Sequence, residues 1–221
     1  MIEFLMEIKP SKKNNTLYRV VLCIAAVILL FIVWLIFIVK NTQPDDSIFN
    51  FLSYHTTAPR TNTMKVITFF GNHNFLIPAN LLAIAFFMFK KSKQDALRVL
   101  IIAVSSLGIM SLLKTLFHRH RPINPLIEGI TNFSFPSGHA FMSVAFFGLL
   151  IYFISHRLKA NWRKPLLISI LLFIIFLIGF SRVYLRVHYT TDVIAGWIFG
   201  VFWLLLCLSV LNKFLNKNPA T

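Results

Sequence analysis

Apolar runs long enough to cross a bilayer recur along this chain, and they restrict its fold more than any other feature. Crossing roughly 30 Å of hydrocarbon takes about 17 to 25 residues of helix, the form that satisfies its own backbone hydrogen bonds there. Such runs cover Val20 to Val39, Ala96 to Phe117, Gly138 to Ser155, Pro165 to Phe180 and Thr190 to Leu211. A shorter run, Phe75 to Phe89, is interrupted by Pro78 and Asn80, and Met64 to Phe70 extends it across the Gly71-Asn72-His73-Asn74 break. Hydrophobic residues make up 57% of the chain and charged residues 13%, where a soluble domain sits near roughly half and a quarter. The expected fold is all-α, a bundle of six transmembrane helices forming a single domain over residues 20–221, after a basic leader at residues 1–19. The first run is too long for a signal-peptide core and has no small-residue cleavage site after it, so it reads as an uncleaved span.

A formal net charge of +15 raises nucleic acid as a partner. Its distribution argues for a lipid bilayer instead. Lys9, Lys12, Lys13 and Arg19 precede the first run; Lys90, Lys91, Lys93 and Arg98 lie between the second and third. Arg157, Lys159, Arg163 and Lys164 separate the fourth and fifth, and Lys213 and Lys217 follow the last. These groups alternate with less basic loops, the pattern of cytoplasmic anchoring, which puts both termini inside. The loop from Lys40 to Thr63, with Pro44, Asp45 and Asp46, then lies outside. The loops at 118–137 and 181–189 are two helices apart, so they share a face, the outer one. Cys23 and Cys207 fall within apolar runs and read as small core residues, with no disulfide framework or metal-binding spacing. Gly196 and Gly200 form a small-xxx-small pair suited to close helix packing.

Polar clusters beside such runs are expensive to place and mark function. Lys114 and Arg121 are about two turns apart on a helix, and Pro122 puts the guanidinium near that helix's end. Two such cations either grip an anion between them, Arg with its planar fork and Lys with its point charge, or snorkel at the interface. Pro136-Ser137-Gly138-His139 opens the fourth helix. Ser is a favoured N-cap, Gly admits a close ligand, and a helix start offers free N–H groups to an anion; a simple cap with an incidental His is the alternative. His188 and Asp192 are spaced so that the carboxylate accepts from one imidazole nitrogen and leaves the other free to attack. Ser181 and Arg182 lie just upstream, and no third ligand completes a metal site with the His188 and Asp192 pair.

Taken together, Lys114-x6-Arg121-Pro122, Pro136-Ser137-Gly138-His139 and Ser181-Arg182-x5-His188-x3-Asp192 match in order the signature of a known family. Over Met64 to Leu211 the chain resembles the type-2 phosphatidic acid phosphatase superfamily, in its membrane-integral branch. The resemblance implies a lipid phosphatase in which His188 is the nucleophile, Asp192 orients it, and His139 protonates the leaving oxygen. Lys114, Arg121, Ser137, Gly138 and Arg182 would hold the phosphoryl oxygens. Phosphoryl transfer needs chiefly positioning and charge stabilisation, so the expectation is hydrolysis without metal or other cofactor.

The chain departs from the family pattern at Arg186, where relatives often carry Gly, and at Thr190, where Pro is common. Arg186 either contacts a second phosphate or anionic head group, or rests against lipid. His118 and His120 read as solvated interfacial residues. The expected substrate is undecaprenyl diphosphate at the outer face of a bacterial plasma membrane, with phosphatidylglycerophosphate, phosphatidic acid or a lipid A phosphate as alternatives. A non-catalytic anion-binding or transport component is a competing reading, against which all three of His139, His188 and Asp192 are present. The soluble haloperoxidase branch shares such residues but not these oily helices.

Overall fold

The structure, a computed structural model, describes residues 12–40 and 42–215. Residues 1–11 of the basic leader and Lys217 lie outside the described residues. All described elements are helical: α1 (Lys12–Val33), continued by a π-helical turn (Trp34–Ile38), α2 (Gln43–Ser53), α3 (Ala58–Phe69), α4 (His73–Phe89), α5 (Lys93–Phe117), α6 (Gly138–Arg157), α7 (Arg163–Tyr184) and α8 (Thr190–Leu215). Among the described residues, five stretches are long and apolar enough to cross a membrane: α3 with α4 as one 32-residue span, then α5, α6, α7 and α8. Leu22–Ile38 followed by Gln43–Ser53 makes a sixth candidate, bent by 92°.

The segment expected as an open loop between Lys40 and Thr63 is instead mostly helix. Pro44 and Pro59 explain this, since each sits in the first turn of its helix, where a missing N–H costs nothing. Asp45 and Asp46 occupy the first turn of α2, where the helix dipole favours negative charge. Pro78 does not interrupt the second span either. It lies within α4, which starts at His73 with Asn72 as N-cap, the Asn72 side chain accepting from the Asn74 amide at 3.0 Å.

α6 is the central helix: 67% of its apolar stretch is buried, against 39% or less for the other spans. Phe87, Val99, Leu149, Phe153 and Leu204 close one half of the core between α4, α5, α6 and α8. Leu76, Phe147, Ile151, Ile168 and Ile178 fill the other half against α7. The outer faces expose Val27, Leu30, Leu82, Phe89, Val104 and Phe173, an apolar surface that suits lipid and not water. α6 meets α8 at the expected glycine pair. A Cβ on Gly196 would stand 2.6 Å from the Ser137 carbonyl oxygen, and one on Gly200 3.0 Å from that of Phe141. Only glycine permits this approach, and it brings the first turn of α8 against the first turn of α6.

The opposite end of the bundle is tied by a separate polar network. Asp95 at the start of α5 pairs with Arg98 at 2.8 Å and with Arg157 at the end of α6. Arg98 donates to Asn212 of α8 at 3.0 Å, and Tyr152 reaches the same Asn212 oxygen at 3.3 Å. Both ends of the bundle are therefore held by polar contacts, which leaves the site end a defined geometry.

Candidate active site

Three segments far apart in the chain meet at one end of the bundle. α5 ends at Phe117 because His118 takes a left-handed conformation, φ 45°, so Arg121 does not share a helical face with Lys114. A loop turn brings the two together instead. Lys114 donates to the Phe133 carbonyl at 2.5 Å. Arg121 donates to the Asn132 carbonyl at 2.7 Å, to the Asn132 side chain at 2.5 Å and to the Val187 carbonyl. Backbone carbonyls thus aim both cations at a common point.

Ser137 stands at the N-cap of α6, yet its hydroxyl makes no capping bond. Its N–H donates to the Asp192 carbonyl at 3.0 Å, which fastens the start of α6 to the first turn of α8. Buried side-chain atoms without a protein partner include Ser137 Oγ, His139 Nε2 and Arg182 Nε. Of these, His139 and Arg182 line a cleft beside His188. Arg182, 3% exposed, is steadied by a donation to Thr68 Oγ1 of α3 at 2.8 Å.

The protonation state of His188 follows from its neighbours. Arg121 can only donate, and it lies 3.2 Å from His188 Nε2, so that nitrogen carries the lone pair. The proton is then on Nδ1, 3.4 Å from Ser134 Oγ, and the Ser134 hydroxyl in turn donates to Asp192 Oδ2. Burial, and then the charges of Arg121, Arg182 and Lys114, hold His188 well below its ordinary pKa of 6.5, with a hydrogen bond to the Ser134 backbone opposing. The imidazole is therefore neutral at pH 7, its Nε2 lone pair facing the cleft and accepting from Arg121. Burial also brings Arg121 down to about 10, opposed by Asp192, which leaves it a cation at neutral pH.

A cleft of about 900 Å³ opens beside Nε2, lined at its polar end by Lys114, Arg121, Gly138, His139, Arg182 and His188. It continues between α4 and α5 past Leu81, Ile84, Val104 and Leu107. Six of the eight residues predicted from the sequence line this cleft. Ser137 and Asp192 lie behind its wall, each fully buried. Arg186 does not line it. Its φ of 55° is the left-handed conformation that glycine adopts freely, which suits the glycine that the family pattern leads one to expect there. His118 and His120 are exposed, as expected.

Sequence reasoning missed Ser134, Arg119 and Asp45. Arg119 pairs with Asp192 at 2.5 Å and with Asp45 of α2 at 3.0 Å. Arg119 and Ser134 stand beside motifs and Asp45 far from any, and nothing in the spacing pairs them. Among the described residues, no three of His, Cys, Asp and Glu gather as a metal-binding group.

The sequence model of the PAP2 superfamily matches residues 95–215, more than half of the chain and all three clusters. The chain belongs to the PAP2 superfamily. Within that superfamily it is similar to phosphatidylglycerophosphatase B of Bacillus subtilis, 33% identical over 62% of this chain and 68% of the relative. It is also similar to an undecaprenyl-diphosphatase of Sulfolobus acidocaldarius, 26% identical over 73% of this chain and 75% of the relative. Among solved structures, a transmembrane PAP2-type phosphatidylglycerolphosphate phosphatase from Bacillus subtilis superposes with a TM-score of 0.78 at 25% identity, covering 87% of this chain and 96% of the other. The protein is thus a membrane enzyme of the PAP2 lipid phosphatase family, with the family's helical fold.

Proposed function

We propose that the protein releases inorganic phosphate from a lipid phosphate or diphosphate through a phosphohistidine at His188. The observation that carries this reading is the orientation of the imidazole, with Nδ1 toward Ser134 and Nε2 open toward the cleft beside Arg121. In the first step Nε2 forms a bond to phosphorus while the bond to the leaving lipid oxygen breaks, and His139 supplies that oxygen's proton. In the second, water attacks the phosphohistidine, gives its proton back to His139, and phosphate leaves. Lys114, Arg121, Arg182 and the uncapped amides at the start of α6 offset the charge on the equatorial oxygens. This set requires no metal, and full activity in excess chelator is the expected result.

The apolar cleft between α4 and α5 suits a lipid chain that stays in the bilayer while its head group enters the polar end. Positive residues at the other end of the bundle and at the chain's start favour cytoplasmic termini and an active site on the outer face of a bacterial plasma membrane. Undecaprenyl diphosphate, left in the outer leaflet by cell-wall synthesis, is then the leading substrate. Phosphatidylglycerophosphate is the second reading, favoured by the 33% identity to an enzyme of that name. Phosphate release by purified protein across a panel of these lipids, phosphatidic acid and lipid A, beside a His188→Ala control, tests both. Release that survives in the control would remove the nucleophile assignment; release from no lipid would remove the reading as a whole.

A further inference from the structure

α2 has no part in the reaction as described, yet it sends a buried carboxylate into the structure behind His188. Asp45 is 2% exposed. Its Oδ1 accepts from the Thr191 amide at 3.0 Å, in the first turn of α8. Its Oδ2 accepts from Thr191 Oγ1 at 2.7 Å and from Arg119 at 3.0 Å. A carboxylate from a distant segment thus accepts from a first-turn amide of α8, beside the local Asp192 that takes the Tyr189 amide.

Arg119 is held on every side. One arm of the guanidinium bonds Asp192 Oδ1 at 2.5 Å and Thr191 Oγ1 at 2.9 Å, and the other bonds Asp45. Its face lies 4.0 Å over the Tyr189 ring, which packs against Phe49 of α2 at 5.5 Å. Because Asp45 occupies the second arm, Arg119 takes only one oxygen of Asp192. The other, Oδ2, is left to the Tyr189 amide at 2.9 Å and to Ser134, the residue next to His188 Nδ1.

We propose that Asp45 is a positioning residue for phosphoryl transfer: by engaging Arg119 and Thr191 it keeps Asp192 Oδ2 available to Ser134, and so keeps His188 aimed. This rests on the reading of His188 as nucleophile. Without the Asp45 charge, the planar fork of a buried Arg119 turns to its one remaining carboxylate and takes both oxygens, the pairing arginine prefers. Ser134 then loses its acceptor, and His188 Nδ1 the bridge that orients the ring. Lys114, Arg121 and Arg182 make none of these contacts, so the grip on phosphate is unchanged.

Asp45→Asn, which keeps the side chain's shape, is compared with the parent by kcat on a lipid phosphate and by the inhibition constant for inorganic phosphate. Expected is a fall in kcat of about tenfold or more with the inhibition constant within about twofold. Because Asp45 acts through Ser134, the losses in Asp45→Asn and Ser134→Ala should not add in the double variant. A kcat near that of the parent, an inhibition constant that rises in step with the loss of kcat, or additive losses would each overturn the proposal. Should Asp45→Asn fail to fold, Asp45→Ser replaces it, a smaller neutral side chain that likewise frees the second arm of Arg119, and the same split is expected. Activity surviving in His188→Ala removes the nucleophile reading and this proposal with it. An inactive His188→Ala beside a normal Asp45→Asn removes the proposal alone.

Discussion

His188 Nδ1 and Asp192 Oδ2 are 3.6 Å apart, too far for a good hydrogen bond, and the Ser134 hydroxyl bridges them. The expected direct dyad is therefore a three-member chain. Asp192 is fully buried and divides its oxygens, Oδ1 to Arg119 and Oδ2 to Ser134 and the Tyr189 amide.

Ser134→Ala removes the hydroxyl that bridges His188 Nδ1–H to Asp192 Oδ2, and Ser134 itself does not line the cleft. Losing a hydrogen bond in a charged network costs about 1.5 kcal/mol or more, so kcat should fall by about tenfold or more with KM nearly unchanged. Steady-state kinetics on one lipid phosphate checks this. An equal rise in KM would mean that Ser134 shapes the cleft and not the imidazole.

Stability should depend on pH through His188. In the unfolded chain this imidazole binds a proton near 6.5, whereas the folded site keeps it neutral well below that value. The unfolded state therefore takes up more protons as pH falls, and stability is lost below pH 6.5 down to the depressed folded pKa. His188→Gln cannot take that proton. Its melting temperature in detergent should fall less steeply than the parent's between pH 7 and pH 5.

Gly196→Ala places a methyl group 2.6 Å from the Ser137 carbonyl oxygen, and backbone must move to admit it. Overpacking of this kind costs about 1–3 kcal/mol, and here the shift displaces the start of α6 that carries Gly138 and His139. Both melting temperature and phosphate release should drop. Gly108→Ala is the contrast, because a Cβ there meets nothing within 4 Å, and alanine in a helix is favourable by about 1 kcal/mol.

Arg186→Gly should relieve the left-handed backbone at φ 55°, which costs a residue with a Cβ about 1–2 kcal/mol, partly offset by glycine's greater unfolded entropy. A small rise in melting temperature is expected, with activities on monophosphate and diphosphate lipids changed equally. A selective loss on the diphosphate would restore Arg186 as a head-group contact.

Much of the fold was legible because hydrocarbon leaves a chain few options. The apolar runs from Ala96, Gly138, Pro165 and Thr190 become α5 to α8, with boundaries shifted by a few residues. The Gly196 and Gly200 pair announced the α6–α8 contact. Less legible was Gln43–Ser53, where polar composition resembled a loop although its prolines and aspartates suit a helix start.

By itself the sequence determined which residue types stand at one end of the bundle: three cations, two histidines and a helix start, placed on a shared face by two intervening spans. Spacing along a helix and the parity of crossings are local or countable, so they survive without coordinates. Only the tertiary structure decided which groups touch. Asp45 reaches Thr191 across 146 residues, Arg119 reaches Asp192 across 73, and Ser134 comes between a histidine and an aspartate that spacing alone had paired. Contacts between distant segments follow no period. They depend on how closely α6 and α8 approach at two glycines and on where α2 comes to rest, and packing in three dimensions sets both.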